Sequence, residues 1–196
     1  MRERNPIFTI GYSPFPLPTL IQLLHQHNIS VLIDVRSIPY SAHFPDYSLA
    51  PLKHHMKQGN IVYRNYAKEF GAKRENPSEY TDGIVDFDKV SQSPEFKSGV
   101  ERVLAGMEMG YRFCLMCAEA DPIKCHRGIL IARKFTRLGC EVIHILKDKV
   151  ETQKEFETRL LDKYFPNRNQ ISFLDNPPDI DNAYRLVGRE IGARLR

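Results

Sequence analysis

Two hydrophobic rhythms alternate along the chain. Ile7-Phe8-Thr9-Ile10-Gly11 is a continuous apolar run, the pattern of a buried strand, and Leu17, Leu20, Ile21 and Leu24 then recur at helical spacing, with Pro18 tolerated in the first turn. Val31-Leu32-Ile33-Asp34-Val35-Arg36 reads as a second strand, followed by an irregular stretch to Tyr47. Ser48 is placed to cap a helix that runs to Gln58 and stops at Gly59, and Ile61-Val62-Tyr63 reads as a short third strand. Ser93-Pro94 starts a helix whose inward face is Val100, Val103, Leu104 and Met107, up to Gly110. Tyr111 to Cys117 predicts a fourth strand, Gly128 to Leu138 a helix ending at Gly139, Glu141 to Leu146 a fifth strand, and Val150 to Tyr164 a terminal amphipathic helix.

This alternation predicts an α/β fold: an open, mainly parallel sheet of about five strands with helices on both faces, joined by right-handed crossovers. Residues 1–165 form a single domain in this reading. Residues 166–196 form a tail, in which linker-like stretches (Pro166 to Asn169, Asn176 to Asp179) precede a short basic helix from Ala183 to Leu195. Arg64 to Asp82 follows neither rhythm, and a structureless loop of that length is uncommon unless it has a function, so it is a candidate substrate loop.

Composition narrows the class. A chain of 196 residues, 42% hydrophobic and 27% charged, buries enough surface to fold as one domain, which excludes wholesale disorder, collagen-like repeats and coiled coil. The excess of basic over acidic residues, 28 − 24 = +4, permits an anionic partner without requiring one. The N-terminus leads into a five-residue apolar stretch, too short for a signal peptide, and no run approaches the ~18 residues of a membrane span. Cys114, Cys117, Cys125 and Cys140 lie within 27 residues, two of them inside predicted core strands, a poor layout for a secreted disulfide framework. These features predict a cytoplasmic protein with no membrane partner and with free thiols.

Those thiols focus the chemistry. Cys117-Ala118-Glu119-Ala120-Asp121-Pro122-Ile123-Lys124-Cys125-His126-Arg127 begins where the fourth strand ends and finishes where a helix begins, the place where ligands bind in open α/β sheets. The positive end of that helix, with Lys124 and Arg127, favours a phosphate or carboxylate and lowers the pKa of a nearby thiol. Cys117 or Cys125 is thus a candidate nucleophile, Cys117 having the strand-end position and Cys125 the helix dipole. The plain alternative makes Cys117 a small buried packing residue and Cys125 a helix-cap neighbour.

Other readings compete. Cys114 and Cys117 point to opposite faces of a strand and cannot share an ion, which leaves Cys117, Cys125 and His126, with His144, as the conceivable metal ligands; the residues name no cofactor. A phosphatase-type loop needs five residues between Cys and Arg, and nine separate Cys117 from Arg127. The segment Leu32 to Arg36 is similar to a stretch common in rhodanese sulfurtransferases, and it sets Asp34 and Arg36 at another strand end, either as an ion pair or as crevice lining. In the long loop, Arg64, Lys68, Lys73 and Arg74 interleave with Tyr63, Tyr66 and Phe70, a pattern that suits stacking on bases or, equally, aromatics pinned to a core.

Taken together, Thr9-Ile10-Gly11-Tyr12-Ser13, Leu32 to Ser37 with Pro39 and Ser41, Tyr63-Arg64-Asn65 with Phe70 to Arg74, Cys117-Ala118-Glu119 with Cys125-His126-Arg127, and Val142 to Ile145 resemble the family catalogued as domain of unknown function 488. Tyr12 stands where that family often has His, and Ala72 where it often has a second Gly. The resemblance implies one domain with a shared crevice and names no reaction.

The combined expectation is an enzyme that binds a phosphate-bearing substrate, a nucleotide or nucleic acid, at the strand ends. Cys117 or Cys125 is the reactive thiol and Glu119 or His126 the acid/base group. Asp34, Arg36 and Arg127 hold or orient the anion, Arg64, Lys73 and Arg74 contact the substrate from the loop, and no metal is required. The alternatives are a non-catalytic nucleic-acid-binding module and a metal-binding, redox or rhodanese-like sulfur-transfer protein.

Overall fold

The computed structural model describes residues 5–168 and 179–195; the first residues of the N-terminal segment, the linker-like stretch from Asn169 and the final arginine lie outside the described residues. In chain order the elements are β1 (Ile7–Gly11), α1 (Leu17–Gln26), β2 (Val31–Asp34), α2 (Leu49–Gln58), β3 (Val62–Asn65), α3 (Ala67–Phe70), β4 (Tyr80–Thr81), β5 (Ile84–Val85), α4 (Phe87–Val90), α5 (Pro94–Glu108), β6 (Phe113–Cys117), a π-helical turn (Arg127–Ala132) continuing into α6 (Arg133–Arg137), β7 (Val142–Ile145), β8 (Val150–Thr152), α7 (Gln153–Tyr164) and α8 (Ile180–Ile191).

The main sheet has six strands in the order β3-β2-β6-β1-β7-β8, parallel except for β8, which runs antiparallel to β7. It is the mainly parallel α/β sheet expected, with one strand more. The added strand takes Val150–Thr152 from the predicted helix. Leu146 N–H donates to the Lys149 carbonyl and closes a tight turn, and Thr152 then caps α7 through a reciprocal pair with Glu155.

Side chains alternate across the strands, and this period of two sorts them into two cores. Ile7, Val31, Ile33, Phe113, Leu115 and Cys117 join one core with residues of α5, the Arg127–Arg137 helix, α7 and α8. Phe8, Ile10, Leu32, Cys114, Met116 and Ile145 join the other with residues of α1 and α2. Cys114 and Cys117 therefore lie on opposite faces of the sheet.

The segment from Arg64 to Asp82 is more ordered than its pattern predicts. Besides α3 it contains a 3-10 turn (Pro77–Glu79) and β4, which pairs with β5 just beyond it in a small hairpin. Its aromatics face inward, as does the preceding Tyr63: Tyr66 and Phe70 are buried, and Phe70 packs against Phe96 and Phe135. The C-terminal helix is anchored too. Ala183, Tyr184 and Val187 of α8 enter the first core, the Tyr184 hydroxyl donates to Glu157 and accepts from the Gln153 amide, and Arg133 stacks over the Tyr184 ring while pairing with Asp88 and Asp181.

Candidate functional site

The carboxyl ends of β1, β2 and β6 meet at one edge of the sheet. Cys117 closes β6, its side chain turned toward the core beneath the Arg127–Arg137 helix. The chain then loops out and returns through a 3-10 turn (Pro122–Lys124) that Asp121 caps, and Cys125 follows in extended conformation. The Cys125 carbonyl accepts from the N–H groups of Gly128 and Ile129, so Cys125 is the cap of the next helix, with its thiol at the positive end of the dipole.

This path brings four predicted residues together. The Sγ atoms of Cys117 and Cys125 both donate to one oxygen of Glu119, Oε2, at 3.0 and 3.1 Å. His126 Nδ1 lies 3.9 Å from Cys125 Sγ, while its Nε2 sits 2.9 Å from the Val35 carbonyl. A carbonyl only accepts, so Nε2 carries the hydrogen and Nδ1 is left to face the thiol. Both cysteines and His126 are buried, whereas the Glu119 residue lies at the surface with its carboxylate turned inward.

The charges follow from these contacts. Burial works against an ionised Cys125, but the hydrogen bond from Cys117 and the charges of Arg127 and His126 outweigh it and hold this thiol well below the ordinary thiol value. The same hydrogen bond, burial and the neighbouring negative charges push Cys117 well above it. Burial also opposes a charged His126, yet its hydrogen bond to Cys125 and the Cys125 charge raise it. Burial and the Cys125 charge hold the Glu119 carboxyl above the usual carboxylate range. The two thiols are thus driven apart, Cys125 downward and Cys117 upward, with His126 raised beside them.

Arg127 is fully buried and acts on the loop backbone. Its guanidinium donates to the carbonyls of Glu119 and Ala120, and its Nε has no hydrogen-bond partner. Arg127 forms no ion pair with a carboxylate among the described residues, and its positive charge is one of the causes that lower the Cys125 thiol. The expected anion-holding role does not match this geometry, because two carbonyls take up the fork of the guanidinium.

Asp34 and Arg36 form a separate cluster. The two make a bidentate pair (2.8 and 2.5 Å), Arg36 also donates to the Tyr47 carbonyl, and the Tyr63 hydroxyl donates to Asp34 at 2.7 Å. Tyr12 stacks on Tyr47 with centroids 4.2 Å apart, and Arg36 lies over the Tyr12 ring. The partners Tyr12, Tyr47 and Tyr63 belong to the α1/α2 core, across the sheet from Cys117. Asp34 and Arg36 are therefore not brought to the thiols; only Val35, whose side chain points the other way, reaches that side and anchors His126.

The remaining expectations divide. Arg64 is exposed on β3, with one hydrogen bond to the Tyr63 carbonyl, and Lys73 is exposed. Arg74 is buried against Glu79 and the Lys68 carbonyl, a loop staple and not a free cation. A cleft of about 700 Å³ opens here, lined by Ser37, Ile38, Lys68, Lys73, Arg74 and Glu95 among others, two residues along the chain from the Val35 anchor. His144 does not join the thiols: Thr9 and Gln153 hold its two ring nitrogens, and burial and the Arg127 charge lower its pKa to about 3. Cys117, Cys125 and His126 could hold a metal ion, since their ligand atoms lie within 4.8 Å of one another.

Two contributors escaped the sequence reading of roles. Gly11 ends β1 where a side chain would collide with the Glu119 carbonyl, and the Val35 carbonyl sets the His126 ring. Gly11 stands in the Thr9 to Ser13 motif at a strand end, which was a usable signal; a backbone carbonyl leaves none.

Fold and site define an α/β protein with a buried pair of thiols, a carboxylate and an imidazole at the carboxyl edge of a mainly parallel sheet. The chain belongs to the family described as domain of unknown function DUF488, whose model matches residues 16–133. That span holds the whole thiol cluster and leaves outside it the first and last motifs of the resemblance, Thr9 to Ser13 and Val142 to Ile145. Searches of curated proteins and of solved structures give no match.

Proposed function

We propose that the protein is a thiol-dependent enzyme in which Cys125 is the nucleophile, His126 its charge partner and Glu119 the acid/base group at the mouth of the site. The observation that carries this reading is the placement of Cys125: a helix cap whose sulfur lies between His126 Nδ1 and Glu119 Oε2, with the buried, carboxylate-free Arg127 beside it. The helix start, His126 and Arg127 favour a thiolate, the form that attacks, while a charged Glu119 carboxylate opposes it. Glu119, with its carboxyl above the usual range and its residue at the surface, is suited to pass a proton between site and solvent. A reducing compartment such as the cytoplasm suits four cysteines without a disulfide.

A phosphate-bearing substrate, small or nucleic acid, has weaker support. Arg36, Arg74 and Arg127 are occupied by protein acceptors, which leaves Lys68 and Lys73 in the cleft, together with Arg64, as the basic side chains for an anion.

Alkylation of the native protein at graded pH, with each cysteine read by peptide mass, tests the reading. Cys125 should titrate with a midpoint below the ~8.5 of an ordinary thiol and ahead of the other three. Midpoints at or above that value for Cys125 would remove the nucleophile.

A further inference from the structure

Cys117 has no role in that reading, yet it is held as closely as Cys125. The two lie eight positions apart, both sulfurs donate to the same Glu119 oxygen, and they sit within 4.8 Å of each other. A disulfide needs a sulfur separation of about 2.05 Å, which side-chain rotation must close. Cys114 lies apart from this pair: it faces the other core, where burial pushes its thiol up.

We propose that Cys117 and Cys125 are an oxidisable pair that consumes one hydrogen peroxide per turnover, Cys125 attacking the peroxide and Cys117 resolving the product. This rests on Cys125 being the nucleophile. In the first step the Cys125 sulfur bonds to one peroxide oxygen, the O–O bond breaks, and the leaving hydroxide takes the proton that Cys125 had given up, yielding water and a sulfenic acid. In the second, the Cys117 sulfur attacks the Cys125 sulfur, the S–O bond breaks, and the hydroxyl departs as water with the Cys117 proton, for which Glu119 Oε2 is the adjacent acceptor. Two thiols are oxidised and one peroxide is reduced to two waters; an external dithiol restores the pair.

The full-length protein, reduced, freed of reductant and exposed to one equivalent of hydrogen peroxide, should lose about 2 Da and yield a Cys117–Cys125 cross-linked peptide that dithiothreitol reverses. Cys114 and Cys140 should stay open to alkylation after unfolding. In Cys117→Ser the sulfenic acid on Cys125 should persist long enough to be trapped by dimedone, with no cross-link; in Cys125→Ser, Cys117 should oxidise at least roughly tenfold more slowly. A Cys125 that alkylates with a lowered midpoint but never cross-links overturns the pair and leaves the thiol-enzyme reading standing. Loss of both the lowered midpoint and the cross-link overturns both. Elemental measurement on the protein as isolated adds a control: a stoichiometric metal that protects both thiols, and whose removal does not restore cross-linking, also overturns the pair.

Discussion

Gly11 lies directly against the carbonyl of Glu119: a Cβ built on Gly11 would sit 1.8 Å from that oxygen. The same oxygen accepts from the Arg127 guanidinium. The end of β1 and a buried arginine thus fix the backbone of the residue whose carboxylate holds both thiols. Glu119 is positioned by its main chain and acts through its side chain.

Gly11→Ala forces this loop outward. The expected result is a loss of about 1–3 kcal/mol in denaturant unfolding and a Cys125 alkylation midpoint moved back toward that of an ordinary thiol. An unchanged midpoint in the folded variant would show that the close approach does not set the thiol environment.

Arg127→Lys keeps the charge and loses the fork. A single ammonium cannot serve both the Glu119 and Ala120 carbonyls from the same place, so the variant should be destabilised by about 2–4 kcal/mol. Arg127→Met should cost as much and also raise the Cys125 midpoint, because the neighbouring positive charge is gone. The comparison of the two midpoints separates charge from scaffolding.

His126→Ala and Glu119→Gln should move Cys125 in opposite directions. Removing the imidazole takes away the partner of the thiolate and raises the midpoint; removing the carboxylate takes away a negative charge and lowers it. Equal shifts of one sign would show that these groups do not act on Cys125 as a charge network.

His144 carries a pH signature. Its pKa of about 3, lowered first by burial and then by the Arg127 charge, lies below the 6.5 of an unfolded histidine. Between those values the unfolded chain binds the extra proton. The contribution of His144 is therefore fully present above pH 6.5 and is lost as pH falls toward 3, with a slope of about 1.4 kcal/mol per pH unit. Between pH 7 and pH 5 the unfolding free energy of the wild type should fall by about 2 kcal/mol more than that of His144→Phe.

Tyr184 reports on the C-terminal helix. Tyr184→Phe removes a hydroxyl that joins Gln153 and Glu157 and should cost about 1–2 kcal/mol. Cutting the chain after Arg168 should cost more, since it uncovers the core that Ala183, Tyr184 and Val187 fill. Unfolding curves unchanged by the truncation would make this segment a detachable tail.

The sequence by itself determined the alternation of strands and helices, and with it the parallel sheet, because periods of two and about 3.6 are local properties of a chain that must bury its apolar side. It also determined the thiol cluster, since Cys117, Glu119, Cys125 and His126 fall within one strand-loop-helix connection and the chain between them is too short to separate them. Asp34 and Arg36 are the counterexample. They follow a neighbouring strand to the same edge, yet the alternation that places Cys117 on one face places Asp34 on the other, among Tyr12, Tyr47 and Tyr63. Only the tertiary structure decided that division, because it depends on strand register and on which helices cover each face. The arginines were decided the same way: Arg74 on Glu79 and Arg127 on two carbonyls are buried long side chains, and no local pattern distinguishes them from exposed ones.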